Sequence, residues 1–326
     1  MRKAIIPMAI AAIFGLGGVI VYSTGTYVPE TVTLEGDGGT DEKVETLDDV
    51  SKAFSVAALS RGSAYYSALM MAEEDPEPLP EGNSIGVTCN GYYDNNNGTS
   101  YNRKLIIAQN ERGLNYHYDG WQNVSGTKTT LDYLVAVSRH GMFVKYNSHA
   151  ISSEDELDEL QIQLSESMNR NRGKWFTVDV NEAHMKEAEE IAKSGDMSKY
   201  MRAMVISTCA AVATQYQSQF LNVVDTNNGQ IKELAAIIES AKGSAEQSGS
   251  TYKMSNSNLS ATVNLTSKTS PEVILDSLVN SKEKQHQEIT LCHINNTKVN
   301  IVEGGQGDFV DLFGDAIANY LNKSMN

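Results

Sequence analysis

The three cysteines of this 326-residue chain are spaced too widely for a soft metal site. Cys89, Cys209 and Cys292 form no C-x-x-C pair, whereas zinc and iron–sulfur sites need clustered thiolate or imidazole ligands. Apolar residues surround Cys209, so we expect that thiol to be buried. An odd count leaves at least one thiol free, and a Cys89–Cys292 disulfide would require an oxidising compartment.

The histidines could transfer protons, but the sequence pairs none of them with a nucleophile. His184 shares a helical face with Glu187, which would suffice for a proton relay or weak cation binding and falls short of a metal-ligand set. His117 and His140 lie in or beside predicted strands without an evident partner. Opposite charges four residues apart indicate that the helix carrying His184 has a solvated face, as in Glu182–Lys186 and Glu189–Lys193.

Two further motifs also fall short of catalysis or phosphate binding. Cys292 and His293 are adjacent on a predicted strand, so their side chains point to opposite faces and cannot form a nucleophile–base pair. The segment "GGQGD" at 304–308 lacks the P-loop lysine and the later glycine of dinucleotide-binding loops. We therefore expect no catalytic residues, no bound metal and no cofactor, and the sequence favours a binding protein over an enzyme.

The charge of the chain argues against one class of partner. The 41 acidic and 26 basic side chains give a net charge of −15. No cluster of Lys and Arg would offset the repulsion of nucleic-acid phosphates, so we expect no nucleic-acid partner. Anionic lipid headgroups would be repelled by the same acidic surface.

The N-terminal segment predicts a link to a membrane. "MRK" precedes 19 uncharged residues from Ala4 to Tyr22, nearly enough at about 1.5 Å per residue to cross the hydrocarbon core of a bilayer. Residues 1–22 are therefore a signal anchor or a signal peptide, and Val21 and Ser23 suit a cleavage site. The basic start should stay cytoplasmic, which predicts a single-pass cell-membrane protein with its domain outside, or a secreted protein after cleavage.

The rest of the chain divides into a tether and one domain. Residues 23–45 are polar, acidic and Gly-rich, which is typical of a flexible tether. We expect residues 46–326 to form a single extracytoplasmic domain. Its first helix begins at Thr46 and runs to about Met71, where a segment with three prolines ends it.

Alternating apolar residues then predict a meander of six short strands. The turns "DNNNG" and "SRHG" follow the strands "IGVTCNGYY" and "TLDYLVAV", and each joins two strands into a hairpin. A short acidic helix separates the fifth strand from the sixth, "KWFTVDV" at 174–180.

Helices dominate the next part of the sequence. Asn181 caps a helix that stops at Gly195, Asp196 opens a long helix, and a further helix starts at "NGQIKELAAI". After the strands "YKMS" and "LSATVNLTS" we expect a helix from Pro271, a hairpin of "EITLCHI" with "KVNIVE", and a terminal helix capped by Asp308. This order indicates an α+β fold, in which a curved antiparallel meander packs on a central helix bundle behind the N-terminal transmembrane or signal helix.

The stretch "AMVISTCAAVATQYQSQFLNVV", residues 203–224, carries no charge and is long enough to cross a bilayer. Its amide side chains would lack partners in lipid, and no basic cluster follows Val224 to hold the rest of the chain in the cytoplasm. We therefore expect a helix that the protein's own curved sheet encloses.

The order of elements, with the Trp-bearing strands "YHYDGW" and "GKWFTVDV", resembles the LolA/LppX-like periplasmic lipoprotein carriers over residues 84–303. The resemblance implies a half-barrel closed by helices that binds an acyl chain or another hydrophobic ligand between sheet and helix. The chain lacks the lipid-attachment cysteine that many of these proteins carry, and the resemblance transfers no functional residue.

The aromatic side chains of the meander could line such a ligand site or pack as core. We name as candidate ligand-binding residues Trp121, Tyr133, Trp175, Met204 and Phe220. The sequence thus predicts a membrane-anchored, extracytoplasmic protein that binds a lipid or other hydrophobic small molecule. The alternative is a non-enzymatic protein–protein interaction or sensor ectodomain of a cell-envelope complex, with an envelope protein as its partner.

Overall fold

The computed structural model describes residues 32–59, 62–71, 84–95, 98–124, 126–153, 159–255, 259–280 and 283–325. The predicted membrane or signal helix at 1–22 lies outside these residues and stays a prediction. Within the described ranges, no helix combines the length and the apolar composition needed to cross a bilayer.

The strands form one large, curved antiparallel sheet. In chain order they are β1 (Ile85–Asp94), β2 (Thr99–Asn110), β3 (Gly113–Val124), β4 (Thr127–Ser138), β5 (Gly141–Ser153), β6 (Trp175–Thr177), β7 (Glu246–Ser248), β8 (Thr251–Ser255), β9 (Leu259–Asn264), β10 (Glu272–Asn280) and β11 (Glu283–Cys292). Their order across the sheet is β6-β5-β4-β3-β2-β1-β11-β10-β9-β8-β7. The pairing of β1 with β11 therefore joins two meanders, one from each half of the chain.

The α-helices of the described residues are α1 (Leu47–Leu59), α2 (Ser63–Met70), α3 (Glu159–Arg170), α4 (Glu182–Ser194), α5 (Tyr200–Ala241) and α6 (Phe309–Met325). Helix α5 contains the uncharged stretch and is 42 residues long, which corresponds to about 63 Å. It is the element that reaches both meanders.

The helices cover one face of the sheet, called here the inner face. The first half of α5 packs on the first meander through Ile206 and Tyr216, and its second half packs on the second meander through Leu234 and Ile238. Burial of each large apolar side chain contributes roughly 1.5–3 kcal/mol. Helix α5 thus fastens the two meanders to each other.

Two irregular segments cross the opposite face of the sheet, called here the outer face. The first contains Val32 and the second contains Val299. Val32 from the first segment and Val299 from the second pack against Ile106 and Leu134 of the sheet. The second segment then reaches the sheet edge at β6, where the Trp175 carbonyl accepts a 2.7 Å hydrogen bond from the backbone of residue 306. Both irregular segments therefore cover part of the outer face.

Residues 32–45 differ from the flexible tether that the sequence predicts. The side-chain oxygen of Asn296 accepts hydrogen bonds from the backbone N–H groups of Asp37 and Gly39 at 3.0 and 2.9 Å. Val44 is 1% exposed and packs in the core of the second meander. Residues 32–45 thus pack on the domain that the sequence predicts to begin at Thr46.

Two helical segments differ from the prediction. The single helix expected from Thr46 to about Met71 is divided into α1 and α2. The separate helix expected from residue 228 is instead the continuation of α5, which runs through Gly229. An internal glycine costs a helix only about 1 kcal/mol relative to alanine, and burial of Leu234 and Ile238 offsets that cost.

The helix predicted to begin at Pro271 is wrong, because Glu272–Asn280 is strand β10 and pairs with both β9 and β11. Val273 is fully buried opposite Val263 and Ile289, so packing overrides the local helix signal. The hairpin of "EITLCHI" with "KVNIVE" is also wrong. Strand β11 pairs with β10 and β1, while residues 298–303 form no strand.

Two predicted helix caps are confirmed. The Asn181 side chain accepts a hydrogen bond from the His184 N–H at 2.9 Å at the start of α4, and Gly195 ends that helix with a φ of 66°. Asp308 begins α6, where its carboxylate accepts from the N–H of Asp311 at 3.2 Å. Both caps join groups within three residues of each other, which is why the sequence alone predicts them.

Candidate ligand site on the inner face of the sheet

Three tyrosines form a ladder across neighbouring strands of the inner face. Tyr118 on β3 lies opposite Tyr133 on β4, which lies opposite Tyr146 on β5. The ring centroids of the first pair are 5.5 Å apart and stacked, and those of the second pair are 6.2 Å apart. All three belong to, or pack on, the core beneath the helices. These three residues are called the tyrosine ladder below.

Aromatic side chains connect the tyrosine ladder to helix α5. Tyr116 precedes Tyr118 by two residues on β3, and its ring centroid lies 6.2 Å from that of Tyr133. Phe220 of α5 packs edge-on against Tyr116 with a centroid distance of 5.6 Å. Tyr216, one turn earlier on α5, is buried in the same core. Helix α5 therefore forms a roof over an aromatic surface.

Burial keeps the phenols of this surface neutral. It raises the pKa of Tyr118 to about 12, and it raises the pKa of Tyr133 and of Tyr216 well above the usual value for tyrosine. A protonated phenol can both donate and accept hydrogen bonds. The surface thus offers apolar rings and a few neutral hydroxyls at neutral pH.

An arginine lies on the inner face beside the tyrosine ladder. Arg103 of β2 is two residues before Leu105, which is buried under the helices, so both side chains project to the same face. Its cross-strand neighbours are both glycine, Gly91 on β1 and Gly120 on β3. A Cβ on Gly120 would lie 2.6 Å from the Arg103 Cα and 2.9 Å from its Cβ. Any other residue at position 120 would therefore displace the arginine.

Among the residues that the structure describes, Arg103 has an aromatic partner and no salt-bridge partner. Its guanidinium carbon is 4.7 Å from the ring centroid of Tyr101, and Tyr101 stacks on Tyr93 at 5.4 Å. The Nε atom is buried, and no group accepts a hydrogen bond from it in the part of the chain that the structure describes. A buried donor without an acceptor costs about 1–3 kcal/mol, and more when it is charged. Arg103 as a whole is half-buried, and Nε is its buried donor without a partner.

The structure brings together two of the five candidate residues and separates the rest. Tyr133 and Phe220 both contact Tyr116. Trp121 lies three residues after Tyr118 on β3, so it projects to the outer face, where Lys128 Nζ is 4.5 Å from its ring centroid. Trp175 packs with the outer-face residues. The sheet therefore separates both tryptophans from Tyr133.

Met204 lies on α5 but far from the tyrosine ladder. It precedes Phe220 by 16 residues, which corresponds to roughly 24 Å along a helix. It is half-buried, and it belongs to neither apolar core of the inner face in the described residues. One compact ligand site cannot therefore include both Met204 and Phe220.

The cysteines are free thiols. Cys292 lies opposite Gly86 while Cys89 lies opposite Ile289, an offset of three positions or about 10 Å along the strand, so the possible Cys89–Cys292 disulfide cannot form. Cys209 is fully buried, as predicted. Burial raises the pKa of Cys209 to about 12 and that of Cys292 to about 11, which leaves little thiolate for nucleophilic attack at neutral pH.

His117, for which the sequence shows no partner, is paired on the outer face. Its Nε2 lies 2.8 Å from Oδ1 of Asp132, and the same oxygen accepts a 2.8 Å hydrogen bond from Asn147. A His–Asp pair of this kind can orient an imidazole for proton transfer. Within the described residues, however, no serine, threonine or cysteine hydrogen-bonds to His117, so the pair has no nucleophile to activate.

His184, Asp308 and Asp311 bring possible ligand atoms within 4.8 Å of one another. Asp308 Oδ2 already accepts from the Asn181 N–H at 2.7 Å and from His184 Nδ1 at 2.9 Å. Its Oδ1 accepts from the N–H groups of Val310 and Asp311 at 2.8 and 3.2 Å. A carboxylate has about four acceptor positions, so this cluster caps helices and leaves Asp308 no position for a metal ion.

Sequence reasoning missed Arg103, although its strand contains a signal. In "SYNRKLIIAQ", Arg103 occupies the same alternating position as Tyr101, Leu105 and Ile107, so it projects to the same face as apolar residues. The flanking glycines come from other strands, and only the observed register shows that they adjoin Arg103.

Comparisons with known proteins give no match: no protein-family model, no curated protein and no solved structure is significantly similar to this chain. The resemblance to the lipoprotein carriers therefore stays a prediction from the order of elements.

Proposed function

We propose that this chain is a membrane-anchored, extracytoplasmic protein that binds a hydrophobic ligand, such as an acyl chain, between the inner face of the sheet and helix α5. The observation that carries the proposal is the tyrosine ladder, with Tyr116 beside it packed against Phe220 of α5. Ligand sites in proteins are mostly apolar and aromatic surfaces with a few polar groups, and this surface has that composition.

The roof helix suits a site that opens for a ligand. The part of α5 that covers the first meander, residues 203–224, contains no charged side chain. An acyl chain that replaced contacts between helix and sheet would therefore meet only apolar and neutral polar groups on the helix. Each buried CH₂ contributes about 0.8 kcal/mol, so a long chain can offset the contacts that are lost.

The chemistry of the other candidate groups favours binding over catalysis. Burial holds the Cys209 and Cys292 thiols in the protonated form. The carboxylate of Asp308 is saturated with hydrogen bonds. His117 hydrogen-bonds to Asp132, and no nucleophile adjoins the pair in the described residues.

Native mass spectrometry of the full chain, released from a non-ionic detergent, tests the proposal. We expect a saturable 1:1 adduct with a long-chain lipid, either co-purified or added. Tyr133→Ala should weaken that binding by about 30-fold, because truncating an aromatic hot-spot contact costs about 2 kcal/mol.

Trp121→Ala provides the matched control, since it removes an aromatic ring from the outer face and should leave the adduct unchanged. If titration gave no adduct with any long-chain lipid, the proposal would fail. A protein–protein interaction or sensor ectodomain would then be the function to test.

A further inference from the structure

We infer that Arg103 binds the anionic group of the ligand, so that the ligand is an amphiphile with a phosphate or carboxylate head and not a neutral lipid. The inference rests on the proposed function, because Arg103 lies next to the tyrosine ladder that would hold the chain. Three features of the described residues support it: the unmet bonding capacity of the arginine, the space around it, and its position relative to solvent.

The Arg103 side chain is half-buried, and one of its donors lacks an acceptor. It stacks on Tyr101, but its buried Nε has no hydrogen-bond acceptor among the described residues. Arginine presents five N–H donors in a planar fork that matches phosphate and carboxylate oxygens. An anion placed there would satisfy the buried donor and neutralise the charge.

The sheet leaves room for such a group on the Gly91 side of Arg103. Gly120 is required for the arginine to fit, as described above. On the other side, a Cβ on Gly91 would lie 3.9 Å from Arg103 Nε, so a side chain at that position would occupy the space next to the donor. The next residue across the sheet on the inner face is Gln287, a buried amide that can add a hydrogen bond.

The position of Arg103 determines which end of a bound amphiphile lies nearer to solvent. Tyr93 and Tyr101 beside it are half-buried, whereas Tyr118 and Tyr146 on the other side are 9% and 2% exposed. A head group at Arg103 would therefore lie at the more accessible end of the inner face, and the chain would extend along the tyrosine ladder under α5.

The acidic surface of the protein does not prevent this binding. The net charge is −15, but exposed charges are largely screened beyond about 8 Å at physiological ionic strength. A partly desolvated cation within hydrogen-bonding distance of the anion acts over a shorter range and in a lower dielectric. The local arginine thus decides the selectivity of the site.

Native mass spectrometry of the full chain with three probes tests the inference. The probes are hexadecyl phosphate, hexadecanol and inorganic phosphate. We expect hexadecyl phosphate to bind at least tenfold more tightly than hexadecanol, about 1.4 kcal/mol. Arg103→Gln should abolish that difference while hexadecanol still binds. Lys104→Gln is the matched control, because it removes the same charge from the next residue, which is exposed and projects to the outer face.

The probes separate the failure of this inference from the failure of the proposed function. Equal binding of hexadecyl phosphate and hexadecanol to the wild-type chain would overturn the role of Arg103 and leave the hydrophobic site intact. If neither long-chain probe bound, the proposed function would fall as well. Binding of inorganic phosphate as tight as that of hexadecyl phosphate would overturn the assignment of the ligand as an amphiphile.

Thermal unfolding distinguishes a ligand-binding arginine from a structural one. Because the buried Nε of Arg103 has no hydrogen-bond acceptor in the described residues, Arg103→Gln removes an unsatisfied buried donor and should unfold at or above the wild-type temperature. A clear loss of stability relative to Lys104→Gln would overturn the inference. Should Arg103→Gln fail to fold, Arg103→Lys keeps the charge, loses the planar fork, and should weaken only hexadecyl phosphate binding.

Discussion

At the scale of the residue, Asp308 shows how one carboxylate can stabilise two helices. Its oxygens accept hydrogen bonds from the start of α4 and from the start of α6. Burial alone would raise the pKa of this carboxyl, but the hydrogen bonds from the Asn181 N–H, His184 and the N–H groups of Asp311 and Val310 hold it below the usual value. The charged form is therefore the one that the fold stabilises.

This lowered pKa makes part of the stability depend on pH. A carboxyl with a lowered pKa in the folded state stabilises the protein above its unfolded pKa of about 3.9, and that contribution is lost as the pH falls through the folded value. Asp308→Asn loses the charge and two of the acceptor positions. We expect it to lower the free energy of unfolding by about 3 kcal/mol at pH 7, measured by urea denaturation.

The difference between the wild type and Asp308→Asn should shrink when the same measurement is made below pH 4. Asp315→Asn is the control, since Asp315 is exposed on the same helix and its loss should leave the stability within about 0.5 kcal/mol. A constant difference at all pH values would show that the charge of Asp308 is not what stabilises the caps.

Residue-scale features divide into those that the sequence predicts and those that need the fold. The caps at Asn181 and Asp308 join groups within three residues of each other, so the pattern of residue types is sufficient. The pairing of His117 with Asp132 and the position of Arg103 between Gly91 and Gly120 depend on strand register. Register is a tertiary property, and no local pattern of this sequence specifies it.

At the scale of the element, α5 is the helix that organises the inner face. The sequence predicts that residues 203–224 form a helix covered by the sheet, and the structure buries Val205, Ile206 and Phe220 there. The sequence does not predict that the helix continues through Gly229, because a local glycine signal carries no information about the second core that Leu234 and Ile238 fill.

Two glycines of the helices should respond to alanine in opposite directions. Nothing lies within 4 Å of a Cβ built on Gly229, so Gly229→Ala should stabilise the protein by about 1 kcal/mol through helix propensity. Gly195 ends α4 with a φ of 66°, which alanine disfavours, and Gly195→Ala should destabilise by about 1 kcal/mol. Urea denaturation of both variants measures these changes, and a loss of stability in Gly229→Ala would show that α5 needs flexibility at that point.

Strand β10 illustrates a different limit of local reasoning. Ser270 and Pro271 form a good helix start, yet the segment that follows lies between β9 and β11 and buries Val273 completely. The partners Val263 and Ile289 come from strands on either side in the sequence. The sequence predicts that the strand containing Ile289 pairs with residues 298–303. It pairs instead with β10, and this pairing outweighs the local helix signal after Pro271.

At the scale of the whole molecule, two meanders share one sheet, one long helix and a common inner face. The sequence correctly predicts the α+β class and the antiparallel meander, because alternation and turn residues are strong local signals. It does not predict the pairing of β1 with β11, which makes one large sheet out of two parts of the chain. The same pairing places Gln287 on one side of Gly91, with Arg103 on the other side.

The central claim is that the ligand binds on the inner face, between the tyrosine ladder and α5. NMR of the full chain with labelled tyrosine rings and labelled indoles tests it directly, because both tryptophans of the chain, Trp121 and Trp175, lie on the outer face. Phenylalanine substitutions at positions 118, 133 and 146 assign the ladder signals. On titration with hexadecyl phosphate, the ladder signals should shift saturably while the two indole N–H signals stay unchanged. Saturable indole shifts with unchanged ladder signals would place the ligand on the outer face and contradict the claim.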